Sequence, residues 1–567
     1  MVDFNVIAQF FDELEKIPGK IDLAEKFKEF DLQLETEDSR IIVYLLQGIL
    51  GPAFKTKELG VAEKLCLRAL EKSSGVEEKV LEKELKKVGD LGLLTQKIML
   101  KRKQTTLSFN SFSLKEVYDK LLKITELVGE GSQNSSISLL CELLSISTPV
   151  EGKHLMRFVS GVKRLGVGDG ILLDGLRREH EVERKIVDRA YYLTSDLGRI
   201  ALMLKQKKDL TKIKIEYFNP IMPALAERAE DVKEIFERLK ECYGEVKYDG
   251  MRIQLHKKNG KVKLFSRHLE EVTNMFPEIS EKASKIKNDF VVEGEAVGID
   301  VETKQILPFQ ELMTRKRKND IKEKTADLPV KFLTFDLLKL NEEDYIDKTF
   351  EERRNELVKL GFEVTQGRML KSQKDIQTFF NESISNNNEG IMCKNLKSPY
   401  SPGSRGFHWI KLKQSYSEFS DTIDVIVMGY FLGKGKRTEF EFGGMLAGIK
   451  DSQGNVNSIA KIGSGFTEGE MEDLQAKLEE LQTEVKPLNY NTSLKPDYWV
   501  KPKLVIEVKS DEMTYSKIHK ACYNPETKTG IALRFPRMIA IRTDKTVDEA
   551  TTEEEIKKII KDKENVY

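Results

Sequence analysis

Lys247-Tyr248-Asp249-Gly250-Met251-Arg252 lies near the middle of a 567-residue chain and decides how the rest is read. A lysine stands beside an Asp-Gly pair, with an arginine just beyond. Asp-Gly between β-prone residues reads as the tip of a hairpin. The same six residues also suit a nucleophilic amine, because a lysine stays protonated up to a pKa of about 10.4 unless its neighbours lower that value. Taken alone, the stretch leaves both readings open.

Further along, Ser266-Arg267 follows the alternating strand Val262 to Phe265, and Glu293-Gly294-Glu295 breaks the apolar strand from Phe290 to Ile299. Phe335-Asp336 lies in the β-rich run Val330 to Leu338. Glu389-Gly390-Ile391-Met392-Cys393-Lys394, Arg405 and Trp409-Ile410-Lys411-Leu412-Lys413 come next. Each has a plain alternative: solvated edge glutamates, a strand with one wet lysine face, a core phenylalanine. Together they supply a nucleophile, cations for phosphate, two carboxylates for a hard divalent ion and an aromatic platform for a base. Magnesium takes few carboxylates plus phosphate oxygens. The set fits nucleotidyl transfer through a lysine–phosphorus bond.

The 93 basic and 93 acidic residues cancel, so a polyanion site must come from local Lys and Arg. Five scattered cysteines without a C-x-x-C pair argue against a zinc ribbon or disulfide framework and for a reducing compartment. No apolar run of membrane-spanning length and no signal-peptide core occurs, so a cytosolic or nuclear protein is expected. Gly429-x-x-x-Gly433-Lys434 is one residue short of a P-loop, with Gly435 where Ser or Thr is needed. Gly166-Val167-Gly168-Asp169-Gly170 follows a helical pattern and reads as a turn.

The length predicts three or so domains. Residues 1–208 read as successive helices: Phe4, Ile7, Phe11 and Leu14 share one face, as do Leu114, Val117, Leu121, Ile124 and Val128 behind a Ser113/Glu116 capping box. Residues 209–416 mix strands with helical segments at 268–287 and 349–360, an α+β pattern. Residues 417–567, with strands at Asp424 to Phe431 and Lys503 to Val508 and a basic turn at Lys434 to Arg437, suggest a small β-barrel.

The ordered series from Lys247 to Lys413 resembles the motifs of covalent nucleotidyltransferases, and specifically an archaeal or eukaryotic-type ATP-dependent DNA ligase. Gly129-Glu130-Gly131-Ser132-Gln133 and Lys163-Arg164-Leu165-Gly166-Val167-Gly168 resemble that family's helical DNA-binding domain. Pro308-Phe309-Gln310 with Arg315 to Lys318 resembles its adenylation domain. Leu533 to Arg537 and Arg542-Thr543-Asp544-Lys545 resemble the last motif, in a C-terminal OB-fold barrel. Arg315 to Lys318 also has the look of a nuclear localisation signal, but its neighbours fit the ligase better.

The resemblance implies sealing of nicked duplex DNA in replication, repair and recombination with ATP and Mg²⁺. Lys247 would attack the ATP α-phosphorus. Glu245 would touch the adenine edge and Phe335 stack on the base. Arg252, Arg267, Lys411 and Lys413 would depress the Lys247 pKa and neutralise phosphate charge, and Lys394 and Arg405 would reach phosphates or ribose. Glu295 and Glu389 would hold Mg²⁺. Arg534, Arg537, Arg542, Asp544 and Lys545 would orient pyrophosphate when the barrel closes about a hinge at 414–420. Lys163, Arg164, the amides near Gly166 and Gly168, Arg315 to Lys318 and Lys434 to Arg437 are candidate DNA contacts. Gln104, Leu107 and Phe109 resemble a sliding-clamp peptide, though Phe109 and Phe112 are not adjacent. A monomer in the cytoplasm (nucleoid-associated), or in the nucleus if eukaryotic, is expected. The alternative is an RNA ligase or capping-type nucleotidyltransferase, against which the 200 helical residues count. A nicotinamide-dependent ligase would need a cysteine zinc module, and a scaffold without catalysis would not need Lys247, Glu295, Glu389 and Lys411.

Overall fold

The computed structural model describes residues 2–57, 59–101, 111–129, 131–162, 164–307, 309–312, 315, 328–386, 388–413, 422–433, 443–466, 468–510 and 512–564. The clamp-like peptide, Lys163, Lys316 to Lys318, the 414–420 hinge and Lys434 to Arg437 lie outside them. The chain falls into two compact units, Met1–Lys83 with Leu91–Lys413, and Glu84–Asp90 with Gln414–Tyr567. No described helix is long and apolar enough to cross a membrane.

The first unit begins with helices from Phe4–Leu14 to Leu197–Lys205. Their starts are set by local chemistry. Asp3 accepts from the Asn5 amide at 2.8 Å, and Ser113 with Glu116 and Thr148 with Glu151 form reciprocal capping boxes. Phe4, Ile7, Phe11 and Leu14 are buried as their spacing requires, and so are Leu114, Val117, Leu121 and Ile124. Val128 is 76% exposed, because the helix Leu114–Glu126 ends before it and the stripe loses its period.

Among the described residues, ten strands follow: β1 Leu225–Arg228, β2 Cys242–Lys247, β3 Met251–Lys258, β4 Lys261–Ser266, β5 Phe290–Gly298, β6 Val330–Leu340, β7 Glu343–Asp344, β8 Gly367–Leu370, β9 Gly390–Lys394 and β10 Arg405–Lys413. They form two sheets of five, ordered β1-β10-β9-β2-β8 and β4-β3-β5-β6-β7. A core of Val291, Phe335, Leu338, Tyr400 and Trp409 joins the two sheets, and Leu193 of the helical region enters it. Phe54 meets Phe265 edge-on at 6.5 Å, and Arg189 pairs with Asp347 at 2.7 Å. The helical and mixed regions therefore share packing across residue 208. The segment 268–287 is helical over Pro277–Ser284, preceded by a short 3₁₀ turn at Thr273–Met275. Pro277 disfavours helical backbone at Phe276, whose φ is −134°, so the helix starts at the proline. The segment 349–360 is the helix Phe350–Lys359 behind a Thr349/Glu352 capping box.

The second unit carries β11 Ile423–Phe431, β12 Gly444–Lys450, β13 Val456–Ile462, β14 Gln482–Thr483, β15 Tyr490–Asn491, β16 Tyr498–Val500, β17 Val505–Lys509, β18 Glu512–Ser516, β19 Ala521–Asn524, β20 Thr529–Arg534 and β21 Arg537–Ile541. One sheet runs β14-β16-β11-β12-β13-β15, with β17 joining β11 to β21, and β18-β20-β19 form a second. The helix Glu468–Glu480 contributes Met471, Leu474 and Leu478 to the core under these strands.

Candidate active site

The six opening residues are not a hairpin. β2 ends at Lys247 in one sheet and β3 begins at Met251 in the other, so Tyr248-Asp249-Gly250 carry the chain between sheets. At Gly250 a Cβ would lie 2.5 Å from the Ala296 carbonyl oxygen and 2.8 Å from Glu295 Cγ, so the crossing needs glycine to pass against β5. The geometry thereby sets Lys247 at a strand end where the two sheets meet.

β2, β9 and β10 lie side by side, with Lys247 opposite Gly390 and Gly390 opposite Lys413. Gly390 has φ of 147°, and a Cβ there would reach 2.1 Å from the Leu412 carbonyl oxygen. This tight start of β9 brings Glu389 between two lysines: its carboxylate pairs with the Nζ of Lys247 through one oxygen and of Lys413 through the other. The Glu389 amide donates to the Lys247 carbonyl at 3.0 Å, fixing the pair from the backbone as well. Lys247 retains 22% side-chain exposure.

Burial lowers the Lys247 pKa most, with Arg267 and Arg252 acting in the same direction and Glu295 and Asp249 against it. Expected from sequence as the work of cations, the shift is led by desolvation. Lys411 is lowered by burial, then by Lys247, Arg267, Arg405 and Arg228, which places these cations around one spot. Burial pushes the Glu295 carboxyl up to about 7, opposed by Lys247 and Arg252 and aided by Asp249 and Glu293. A nucleophilic amine must be neutral, so single-turnover self-adenylation should rise with pH and reach its plateau below the ~10.4 of a free lysine. An inflection at or above the free-lysine value in a stopped-flow pH profile would show that burial does not set the amine's reactivity.

Four of the expected nucleotide contacts are engaged inside the protein. Arg252 donates to Glu293 at 2.7 Å and to the Ala224 carbonyl at 2.8 Å, and lies over the rings of Phe335 and Trp409. Glu293 also accepts from the Tyr400 hydroxyl at 2.8 Å. Lys394 is 1% exposed, pairs with Glu245 at 2.6 Å and donates to the Phe335 carbonyl at 3.1 Å. The other Glu245 oxygen accepts from Arg354 at 2.7 Å and Thr365 at 2.9 Å. Phe335 is 8% exposed, meets Trp409 edge-on at 6.0 Å, and has the Lys394 amine 4.8 Å from its ring centroid. Buried charges must be paired to remain charged. Glu245, Arg252, Phe335 and Lys394 thus line the floor behind the lysine, each already engaged within the protein.

Sequence reasoning passed over Glu293, Arg354, Tyr400 and Arg353 as partners. Glu293 stood in the Glu-Gly-Glu run, two residues before Glu295 and on the same strand face. The arginine partners carried no motif.

Glu295 and Glu389 flank the amine and suit a hard divalent ion that also takes phosphate oxygens. Arg267 and Arg405 are exposed beside Lys411. In the helical region Arg164 has φ of 53° and Gly166 of 68°, the turn expected before the helix Asp169–Glu179. Within the second unit, Arg542 holds Asp544 at 2.7 Å and Asp424 at 3.1 Å, and Lys545 holds Asp424 at 2.5 Å. Asp424 is thus the centre of that group and had no sequence signal. Arg534 and Arg537 flank the turn between β20 and β21, where Phe535 has φ of 52°.

A half-buried lysine at a sheet junction, faced by carboxylates and a row of cations, defines a phosphate-handling transferase site. Residues 3–177 match the family described as "DNA ligase N terminus", 223–413 "ATP dependent DNA ligase domain" and 438–545 "ATP dependent DNA ligase C terminal region". The DNA ligase of Nitrosopumilus maritimus is 37% identical over 571 residues, spanning 98% of this chain and 97% of that one. The DNA ligase of Sulfurisphaera tokodaii is 38% identical over 587 residues, spanning 99% and 98%. The solved structure described as "Pmar-Lig_Pre." shares the fold, with a TM-score of 0.58 and 16% identity over 94% of this chain and 99% of that one. The chain belongs to the ATP-dependent DNA ligases, enzymes that join DNA at nicks.

Proposed function

We propose that Lys247 is the residue that carries the nucleotide. The observation that carries this reading is its place: the last residue of β2, its amine against Glu389, its pKa lowered by burial. Lys247 attacks the ATP α-phosphorus and becomes a lysyl-adenylate as pyrophosphate leaves. Arg267, Lys411, Lys413 and Arg405 take up charge on the phosphates. The floor of Glu245, Lys394, Arg252 and Glu293 holds the strand ends in register. Lys247 then yields AMP to the 5′-phosphate of the nick, and the 3′-hydroxyl displaces AMP to close the backbone. Positioning and electrostatics carry each step.

Glu295 and Glu389 are the residues that would hold Mg²⁺, which neutralises phosphate charge when bound. An ion held by Glu389 would compete with Lys247 for that carboxylate, and the cationic neighbours of Lys247 favour its neutral amine. A singly nicked duplex with ATP tests the reading: sealing should require Mg²⁺, stop on chelation and return on its re-addition. Sealing that persists in chelator would remove the metal from the scheme.

Residues 1–208 are proposed as the DNA-binding domain, 209–416 as the adenylation domain and 417–567 as an OB-fold carrying Arg534, Arg537 and the Arg542-Asp544-Lys545 group. Lys163 and Arg164 precede a helix start whose amides suit phosphate. In Lys163→Glu/Arg164→Glu, nick affinity should fall, and the slope of log K against log salt should flatten by ~0.9 for each phosphate no longer neutralised. An unchanged slope in filter binding would take these residues off the DNA. Gln104, Leu107 and Phe109 are proposed to dock a sliding clamp, and the enzyme is proposed to act as a monomer in the cytoplasm at the nucleoid.

A further inference from the structure

Two clusters of acids around a histidine lie in the helical region, and their difference is informative. In the first, Asp12, Glu15 and His154 sit among cations: Lys153 reaches Asp12 at 2.7 Å and Glu15 at 2.9 Å, His154 reaches Asp12 at 2.6 Å, and Arg157 pairs with Glu15. None of its atoms is a buried orphan. The second, Asp31, Glu179 and His180, joins the end of the helix Lys20–Asp31 to the end of the helix Asp169–Glu179. Here one lysine serves two acids. Lys205 Nζ donates to Glu179 Oε1 at 2.8 Å and to the Asp31 carbonyl, and lies 3.3 Å from Asp31 Oδ2 without a hydrogen bond to it.

The remaining atoms have no hydrogen-bond partner: both Asp31 carboxylate oxygens, Glu179 Oε2, His180 Nε2 and Ser39 Oγ. The Asp31 and Glu179 side chains are 0% and 2% exposed. His180 Nε2 is 3.3 Å from Glu179 Oε1, and its side chain is 19% exposed. One ligand atom from each of Asp31, Glu179 and His180 lies within 4.8 Å of the others. Unpaired polar atoms at this depth cost free energy each, and two carboxylates against one ammonium leave a net negative charge. The two carboxylates face each other short of a cation.

We propose that Asp31, Glu179 and His180 form a structural site for a divalent transition-metal cation of the zinc type, with water as fourth ligand. Two carboxylates and an imidazole suit zinc or cobalt better than magnesium or calcium, which take oxygen ligands. Lys205, holding the other Glu179 oxygen, orients that ligand from outside. The bound ion would pin together the ends of two helices far in sequence from the Lys247 site.

The full-length protein, stripped with chelator and exchanged into metal-free buffer, should retain one equivalent of Zn²⁺ through gel filtration in excess Mg²⁺. Co²⁺ should give a visible d–d band that Zn²⁺ abolishes and Mg²⁺ does not. His180→Gln, altered at a partly exposed helix end, should lose that equivalent, the band and the Zn²⁺-induced rise in Tm, while sealing nicks with ATP and Mg²⁺. Asp31→Asn should behave alike. Equal zinc content in wild type and His180→Gln would overturn the proposal. So would a wild type that takes up no zinc, whose acceptors are then satisfied by a shared proton or water.

Discussion

Lys247→Ala incubated with α-labelled ATP and Mg²⁺ should take up no label, and its nick sealing from ATP should fall by roughly 10⁴-fold or more, the order of loss when a covalent nucleophile is removed. No neighbouring amine can stand in. Lys394 is 1% exposed and held by Glu245 at 2.6 Å, while Lys411 and Lys413 lie on another strand, β10. The same variant given a nick already carrying 5′-adenylate should retain far more activity, since joining then needs only the 3′-hydroxyl and the phosphate cations. Label persisting in Lys247→Ala would assign the adenylate to another residue. Equal loss on both substrates would mean that the substitution damages the site rather than its nucleophile.

The strands were legible where side-chain alternation is strong. β4, β5, β6, β11 and β17 lie within a few residues of their predicted spans. The helix Leu114–Glu126 announced itself by its capping box, since Ser113/Glu116 needs only four consecutive residues to be seen. Lys247 and its companions were legible as a set because their order along the chain is itself the signal. What the sequence concealed was pairing across the two sheets. Asp249-Gly250 reads as a hairpin tip because sheet membership is not encoded in four residues. Whether a glutamate binds metal or balances a buried arginine depends on what lies opposite. Glu293 and Glu295 differ by two positions, yet Glu293 is taken by Arg252 and Tyr400, while Glu295 is set beside Lys247. Phe335 and Lys394 had their internal partners hidden for the same reason. Their burial follows from Trp409, which arrives more than seventy residues after Phe335.

The concealed pairs also predict the largest effect on stability. Arg353→Met should destabilise the first unit by about 3–5 kcal/mol, the usual cost of leaving one member of a buried ion pair alone. Arg353 and Asp336 are each 0% exposed. The guanidinium donates to the Asp336 carboxylate at 2.6 and 3.1 Å, and to the carbonyls of Lys348 at 2.7 Å and Ser398 at 3.2 Å. Methionine fills the volume but leaves Asp336 with the Leu337 amide, at 2.9 Å, as its donor. The effect should reach the active site along bonded neighbours. Asp336 follows Phe335 on β6, the Phe335 carbonyl holds Lys394, and Lys394 holds Glu245, two residues before the nucleophile. Adenylation should therefore fall at temperatures where the chain is still folded. Urea unfolding followed by Trp409 fluorescence in a Trp499→Phe background, which leaves one reporter in this unit, measures the stability directly. Adding Asp336→Leu should recover much of the loss, because replacing both partners removes the stranded charge. A single-variant loss under about 1 kcal/mol would place the pair among contacts that contribute little, and the chain of contacts from Arg353 to Lys247 would then have no energetic basis.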